Sequence, residues 1–433
     1  MGKLLCGFAQ ADITPQPETT YLDGYGGRVT PASGVKDPLY AKVCVLQSDE
    51  NVLAVIALDV CGLNHTLKER LRGWIRSLTG LKDAQFALCA THTHSGPACG
   101  VLDGLPINWL YWNHVGDCIV QAIGKARSSA CEGRFRFTFG HELTQSANRR
   151  GRDVIDRRVP VCAFFDTQER LRGVIASASC HAVCNTDMEI SADYPSVLTR
   201  EAAERYPGVP FLFLQGRGGD VNPYSDEYAG TMLPLEILGR ELADCVFAAM
   251  DSMEGGTEEL SGIRSVYRTV PVPMWYPARE DLEECLANIR QRLLTAAPEA
   301  DRRLLHVELA WHIQALSEIE KTEEPFVNAD FQIVVIGNAW VLAFVPFELL
   351  TPTGNAIEEM IARYGIPSEK CFVIGYSNGT NGYLAVSSES KSEGYETCGA
   401  AHWYGIPICC AESEQTVLQT FSNMAEELLG DPQ

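Results

Sequence analysis

The stretch "VLAVIALDVCGLNHTLKERLRGWIRSLTGLKDAQFALCATHTH" (residues 52–94) contains the pattern that decides the fold. Its opening run, VLAVIALDV, and its last apolar run, AQFALCA, are short and apolar, which predicts two buried strands. Between them, TLKERLRGWIRSLTG mixes apolar and charged residues in the way that is typical of a helix. A strand, a helix and a second strand in succession favour an α/β fold.

The same alternation continues along the chain. The runs AKVCVLQ, PVCAFF, LRGVIASAS and PFLFLQG predict further buried strands. The stretches YWNHVGDCIVQAIGKARSS, SVLTREAAERY and PLEILGRELADCVFAAMDSM predict helices between them. We therefore expect an α/β protein in which mixed β-sheets are flanked by helices.

The composition shifts at DSMEGGTEELSG (residues 251–262), where a charged, helix-rich piece begins that extends over about residues 279–321. FQIVVIGNAWVLAFVPFELL then predicts two strands around a GNA turn, and TGNAIEEMIARYG predicts a helix. We divide the chain into a main part, residues 1–255, and a C-terminal part, residues 256–433, that completes the same domain.

The net charge and the cysteine pattern indicate which partners and which cellular compartment to expect. The 433 residues carry a net charge of −21, which argues against nucleic acid or an anionic membrane as the main partner. No run reaches the length of a membrane span, so we expect no stable membrane insertion. The 16 cysteines form no CxxC pair, and the first residues lack the apolar run of a secretory segment. We expect a cytoplasmic protein with free thiols and a small-molecule substrate; the sequence defines no oligomeric state.

His92 and His94, in THTHSGP, are the first candidate site residues. If the preceding strand continues through them, their spacing of two places both side chains on one face. Two imidazoles at a strand end suit a metal ligand with a proton-transfer neighbour, or two metal ligands. The alternative is a pair of polar residues that are hydrogen-bonded to loop carbonyls.

Two further strand ends carry polar residues. His181 ends the apolar run of SASCHAVCNTD, where a lone histidine is more often structural, and its neighbours Cys180 and Cys184 are interpreted as packing residues. The run FLFLQGRGGDVNPYSD leads into a glycine-rich turn that contains Arg217, Asp220 and Asn222. Glycine lets a backbone approach a ligand closely, but the same turn is compatible with a simple Asx cap. It lacks the lysine of a phosphate-binding loop.

The C-terminal part contributes three candidates. Glu348 follows WVLAFVPF, and a carboxylate there is expensive to bury unless it is paired or metal-bound. Tyr383 and Tyr395 follow an Asn/Gly-rich loop, where tyrosines usually form surface hydrogen bonds.

Taken in order, these motifs resemble the catalytic region of the neutral/alkaline, non-lysosomal ceramidases. The motifs in common are ADITP, DGYGG, PLYAKV, THTHSGP, SANRR, the His181 strand, ISADYPS, GDVNP, PFELLT and the segment from NGY to GYE. THTHSGP and the spacing from Tyr383 to Tyr395 are the most specific of them. The resemblance spans nearly the whole chain, without room for the separate C-terminal β-sandwich of the large family members.

The resemblance implies a ceramidase-like α/β catalytic domain with one Zn²⁺ in a pocket. Its ligands would be His92, His181, Glu348 and Tyr383. Nitrogen and oxygen ligands on separate strands can hold zinc while one position stays open for water or substrate. His94 would be a proton-transfer neighbour of His92.

The resemblance also implies roles for two residues around the metal. Arg149, in SANRR, matches a substrate-contacting arginine, and Tyr395 matches a tyrosine that contacts the reacting carbonyl or its oxyanion. His94 or Asp220 would move protons, while Arg149 and Tyr395 would stabilise developing negative charge.

Asn222 departs from the family pattern, because ceramidases carry their nucleophilic serine at this position of the GDVNP turn. An amide is not a comparable nucleophile, so Asn222 would hydrogen-bond the substrate or orient water. We therefore expect a zinc-dependent amidohydrolase that cleaves an amide or related bond in a small soluble substrate by zinc-activated water. The alternatives are a true N-acylsphingosine amidohydrolase and a non-catalytic, ligand-binding homologue.

Overall fold

A computed structural model describes residues 4–49, 51–102, 104–253, 260–296, 298–392 and 394–430. In this part of the chain the α-helices are α1 (His65–Thr79), α2 (Trp109–Ser128), α3 (Pro195–Arg205), α4 (Leu235–Ser252), α5 (Arg279–Thr295), α6 (Glu299–Ile319), α7 (Thr351–Ala362), α8 (Ala401–Tyr404) and α9 (Ala411–Leu429). None of the helices in these ranges combines the length and the apolar character that crossing a membrane requires.

Two large sheets contain most of the strands. The first sheet consists of β1 (Leu5–Asp12), β3 (Tyr40–Gln47), β4 (Val52–Leu58), β5 (Phe86–Ala90), β6 (Cys131–Phe139), β8 (Pro160–Asp166), β9 (Leu171–Ala178) and β11 (Phe211–Gln215). The second consists of β13 (Ile263–Trp275), β14 (Phe326–Ile336), β15 (Trp340–Phe344), β17 (Cys371–Ile374) and β19 (Ile408–Cys409). Short two-stranded pairs are formed by β2 (Gly34–Val35) with β10 (Glu189–Ile190), β7 (Ser146–Asn148) with β12 (Val221–Pro223), and β16 (Glu348–Leu349) with β18 (Tyr383–Leu384).

Both large sheets mix parallel and antiparallel pairs, as the sequence predicts. The first has the order β11-β9-β8-β6-β1-β3-β4-β5, with parallel pairing of β4 to β5 and of β11 to β9. The second has the order β17-β15-β14-β13-β19, with parallel pairing of β15 to β17. The predicted α/β class with mixed sheets and flanking helices is confirmed.

The sequences of these strands are continuous apolar runs because both faces of each strand are buried. In β3, Val43 and Val45 face a core shared with α1 and α2, whereas Cys44 and Leu46 face a core between the two sheets. In β14, Ile333 belongs to a core shared with α7 and α9, and the next residue, Val334, belongs to the core between the sheets.

Helices α3 and α4 cover the other end of the first sheet, over β8, β9 and β11. The molecule therefore has four layers: helices, the first sheet, the second sheet and helices. This arrangement brings the ends of strands from both sheets to a common edge.

The predicted C-terminal elements are also found. The charged segment 279–321 is the helical hairpin α5–α6, inserted between the neighbouring strands β13 and β14. The GNA turn joins β14 to β15 by the three residues between the paired Ile336 and Trp340, and Gly337 and Asn338 have φ values of 60° and 56°, in the left-handed region that tight hairpin turns use. Each large sheet takes its strands from one side of the proposed division, but residues 255 and 256 lie outside the described residues, and the division stays a prediction.

Candidate metal centre

Strand ends from both sheets meet at the candidate site. His92 follows β5 and His181 follows β9, both in the first sheet. Glu348 follows β15 of the second sheet and begins β16, where it pairs directly with Tyr383 of β18. The four predicted metal ligands therefore come together, at the kind of sheet edge where α/β proteins place their ligands.

The backbone around His92 differs from the prediction. Strand β5 ends at Ala90, and His92 has a φ of 63°, so the two histidines do not lie on one face of a strand. A turn replaces the predicted strand extension. It is held by hydrogen bonds from the His92 N–H to the Val60 carbonyl and from the His94 N–H to the Ala182 carbonyl. The turn still brings the two Nε2 atoms to 3.1 Å, so the pairing was predicted correctly and its geometry was wrong.

His181 lies three residues beyond the end of β9 and is fully buried. Its Nδ1 lies 2.6 Å from the carbonyl of Gly218, and Nδ1 of His92 lies 2.6 Å from the carbonyl of Cys61. A carbonyl can only accept, so both rings donate from Nδ1 and turn Nε2 towards the other side chains of the site. Carbonyl partners of this kind orient metal-binding histidines.

The free atoms of these side chains converge. Oε2 of Glu348 lies 3.1 Å from Nε2 of His181 and 3.4 Å from Nε2 of His92. The hydroxyl of Tyr383 lies 3.2 Å from Nε2 of His181. A tetrahedral ion with ligands at its usual zinc distances separates those ligands by roughly 3.3 Å. The residues present therefore fit Zn²⁺, and Oε1 of Glu348, which is buried without a hydrogen-bond partner, would gain one in a bound cation.

The protonation states also suit a cation. Burial, together with the charge of Arg149, lowers the pKa of His181 to about 4. Burial and the neighbouring His92 and His181 lower the pKa of His94 well below its ordinary value. Burial on its own would raise the pKa of Glu348, but its contacts with His92 and His181 outweigh it and lower this pKa. At neutral pH, His94 and His181 are neutral and Glu348 is a carboxylate, which leaves donors in the form that metals bind.

Tyr376 belongs to this site, although no motif of the sequence predicts it. Its ring lies 4.1 Å from the ring of His92, and its hydroxyl lies 3.4 Å from Oε2 of Glu348. It is buried and has a φ of 52°. Its position directly after β17, in GYSNG, is the only signal that the sequence offers.

Asn222 lies on β12, which pairs with β7, and Arg149 lies in the turn that follows β7. The Nη1 of Arg149 lies 3.3 Å from Oδ1 of Asn222, and its guanidinium lies 5.3 Å from the ring centre of Tyr383. Tyr395, whose surface is 48% exposed, lies 5.7 Å from Tyr383 between ring centres and borders the same guanidinium. Arg149 and Tyr395 thus adjoin Tyr383, one of the predicted metal ligands, and Asn222 adjoins Arg149.

Asp220 and Arg217 are held elsewhere. The carboxylate of Asp220 accepts hydrogen bonds from the backbone and hydroxyl of Thr351 and from the amide of Asn148. Arg217 is paired with Glu358. These contacts give Asp220 a role in fixing the glycine-rich turn, and its predicted proton transfer finds no support in the described contacts.

The loop DGYGG supports His94 from the other side. The ring of Tyr25 meets the ring of His94 edge-on at 5.3 Å, and Arg28 donates to the carbonyl of His94. The hydroxyl of Ser95 is buried and is engaged by the backbone and the side chain of Asn185. These contacts are those of a structural turn residue.

Comparisons with known proteins agree with the resemblance found in the sequence. No family model matches the chain. A curated neutral ceramidase of Pseudomonas aeruginosa is 24% identical over 244 residues, which cover 50% of this chain but only 36% of that protein. The matched part is thus about a third of the length of the relative.

Solved structures extend the likeness to the whole chain. A crystal structure of neutral ceramidase from Pseudomonas aeruginosa has a TM-score of 0.77 at 21% identity and covers 99% of this chain and 75% of that chain. A structure described as ceramidase complexed with C2 has a TM-score of 0.75 at 20% identity, with the same coverage. The chain therefore resembles neutral ceramidase in sequence and has its α/β fold, which confirms the ceramidase-like domain expected from the sequence.

Proposed function

We propose that this protein is a zinc-dependent hydrolase that cleaves an amide or related bond in a small substrate. The observation that carries the proposal is the convergence of His92, His181 and Glu348, in which Oε2 of Glu348 lies 3.1 Å from Nε2 of His181 and 3.4 Å from Nε2 of His92. Tyr383 adds a fourth oxygen donor beside His181. The likeness to neutral ceramidase supports a hydrolase among the functions that such a metal site can serve.

Zinc would polarise the scissile carbonyl and favour ionisation of a water molecule. His94 is neutral and lies at hydrogen-bond distance from His92, so it is placed to accept or donate a proton beside the metal ligands. Arg149 and Tyr395 provide N–H and O–H donors on the opposite side, where they can stabilise an oxyanion.

Asn222 determines how the bond is attacked in this proposal. Its Oδ1 accepts from Arg149, which leaves the amide N–H groups available to orient a substrate carbonyl or a water molecule. Because an amide is not a nucleophile of the serine type, water is the nucleophile and no acyl-enzyme forms.

A second candidate is hydrolysis of N-acylsphingosines, which is favoured by the match to proteins named neutral ceramidase. The third is a ligand-binding homologue without catalysis, which the asparagine at position 222 favours. We prefer a small polar substrate because the chain is strongly acidic, and we propose that it acts in the cytoplasm because all 16 cysteines are free thiols.

The experiment combines metal analysis with a substrate panel. Purified protein should contain about one zinc per chain and should hydrolyse at least one member of a panel of short N-acyl amines, lactams, glycosides and C2-ceramide. His181→Ala should lose most of the zinc, whereas the control His141→Ala, which changes an exposed histidine, should keep it.

Each outcome selects one candidate. Activity on C2-ceramide alone would favour the ceramidase, and zinc binding without turnover of any compound would favour the ligand-binding homologue. Full zinc retention by His181→Ala would contradict the metal assignment.

A further inference from the structure

The guanidinium of Arg149 is held on all three of its nitrogens. Nη1 faces Oδ1 of Asn222 at 3.3 Å, and Nη2 donates to the carbonyl of Gly219 at 3.0 Å. Nε donates to Oε1 of Glu396 at 2.6 Å, which is the shortest of the three contacts and the one made to a charged partner. Glu396 therefore dominates the orientation of this arginine, because charge-assisted hydrogen bonds are the strongest in such a set.

Glu396 is a buried carboxylate and not a surface charge. Its side chain is 7% exposed, although it lies next to Tyr395, whose surface is 48% exposed. A buried carboxylate is costly unless it is paired, and the guanidinium of Arg149 provides that pairing. The two residues are separated by 247 positions in the chain, so the contact joins two distant segments.

The pair continues as an alternating series of charges. Oε2 of Glu396 lies 3.5 Å from Nε of Arg150, and Arg150 is paired in turn with Glu389. The other oxygen of Glu389 lies 2.8 Å from Nη2 of Arg152. This series fastens the turn after β7 to the segment that carries Tyr395.

The backbone at Glu396 has an uncommon form. Tyr395–Gly399 is a single π-helical turn, in which the N–H of Ala400 donates to the carbonyl of Tyr395. Turns of this kind are rare and occur often at functional sites. Tyr395 and Glu396 are neighbours in this turn, and the guanidinium of Arg149 contacts both side chains.

We propose that Glu396 is a positioning residue that holds Arg149 and Tyr395 in the orientation needed to stabilise the oxyanion. Glu396 contacts neither the predicted metal ligands nor Asn222 through any described hydrogen bond, so it acts on them through Arg149. Removing its charge weakens the bond to Nε, because a neutral amide oxygen accepts less strongly than a carboxylate, and lets the guanidinium rotate away from Asn222 and the Tyr395 ring. The proposal rests on the hydrolase function proposed above for its kinetic consequence, but the contact itself does not depend on that function.

The first test is spectroscopic and needs no substrate. The Nε–H signal of Arg149, assigned by its loss in Arg149→Lys, should exchange slowly with water in the unmodified protein. In Glu396→Gln, which keeps the shape and removes the charge, exchange should be at least about 10-fold faster because a charge-assisted bond is lost. Glu389→Gln is the matched control, because it removes a carboxylate of the same charge series that does not contact Arg149.

The second test uses whichever amide the panel identifies. Glu396→Gln should lower kcat by about 10- to 100-fold with little change in KM, as expected for an interaction made in the transition state. Zinc content should stay at that of the unmodified protein. In Arg149→Lys the further change Glu396→Gln should cost much less, because the two residues act as a unit.

Several outcomes would overturn the proposal. One is an Nε–H signal of Arg149 in the unmodified protein that exchanges as fast as the Nε–H signal of Arg240, whose side chain is 67% exposed. This measurement needs no variant, so it is decisive even if Glu396→Gln fails to fold. Another is equal exchange in Glu396→Gln and Glu389→Gln. Failure of every amide in the panel would instead contradict the hydrolase function, and the exchange of the Arg149 signal would still decide the role of Glu396.

Discussion

His92 adopts a left-handed backbone conformation that residues other than glycine seldom use, with φ at 63°. Such a conformation costs of the order of 1 kcal/mol and persists only where the surroundings enforce it. Here the N–H of His92 donates to the carbonyl of Val60, and its ring packs against the ring of Tyr376, which is itself left-handed. The strain aims Nε2 of His92 at Glu348, which an extended strand would not do.

Replacing Asn222 tests whether a side chain attacks the substrate. Asn222→Ala should lower turnover by roughly 10- to 1000-fold, the effect of a lost positioning hydrogen bond, while zinc binding remains. Rapid mixing of the unmodified protein with the identified substrate should show no burst of product in the first turnover.

Quenched turnover mixtures provide the control for this prediction. Mass spectrometry should find no covalent adduct on any side chain. An adduct on Ser95, or a burst whose size equals the enzyme concentration, would show that a nucleophile has moved within the site instead of being lost.

At the scale of elements, the loop from Asp23 to Gly27 supports His94 by close approach. Gly24 has a φ of 97°, and a Cβ there would lie 2.4 Å from Cγ of His94 and 2.7 Å from its Cα. Only glycine fits both the backbone conformation and the space.

Gly24→Ala should therefore displace His94 and reduce both stability and turnover. We expect a loss of about 1–3 kcal/mol in the free energy of unfolding and at least a 10-fold loss of turnover. Gly27→Ala is the matched control, because a Cβ at Gly27 meets nothing within 4 Å. Equal melting temperatures and equal rates for the two variants would show that the loop does not position His94.

The elements of this fold are predictable from local pattern, and the site is predictable only in part. Apolar runs such as AKVCVLQ predict strands because burial on both faces leaves a signal in every residue. The turn at His92 leaves no such signal, since an alternating pattern does not reveal a left-handed residue. The contact between Arg149 and Glu396 depends on how two segments 247 positions apart are folded together, which no local pattern contains.

At the scale of the whole molecule, the cysteines report on burial. Cys285 is exposed, Cys131, Cys398 and Cys410 are half-buried, and the other twelve are buried. Burial raises the pKa of the Cys89 and Cys371 thiols to about 12, which leaves them protonated and unreactive at neutral pH.

Thiol titration checks both the absence of disulfides and this burial. Denatured, unreduced protein that has been kept from air should show close to 16 thiols, and the folded protein should show only about four that react quickly. A count that is lower by two or more in the denatured protein would indicate a disulfide and argue against the cytoplasm.

A buried ion cluster joins elements of the two sheets. Glu358, on α7 beside the second sheet, accepts hydrogen bonds from both Nη atoms of Arg158 at 2.8 and 2.7 Å and from Arg217 at 2.5 Å. Arg158 precedes β8 and Arg217 follows β11, both strands of the first sheet. Burial alone would raise the pKa of Glu358, but the two guanidinium groups outweigh it and lower this pKa from 4.5 to about 2.

This shift predicts how stability depends on pH. The unfolded chain binds a proton at Glu358 near pH 4.5 and the folded protein only near pH 2, so the stabilisation is complete above about pH 4.5 and is lost as the pH falls towards 2. Glu358→Gln should reduce the free energy of unfolding at pH 7 by about 1–3 kcal/mol and should make its decrease between pH 5 and pH 3 shallower. Denaturant unfolding at several pH values measures both effects, with Glu359→Gln, a change of the exposed neighbouring glutamate, as the control. If Glu358→Gln and Glu359→Gln lose stability in parallel as the pH falls, the cluster does not couple the two sheets through the charge of Glu358.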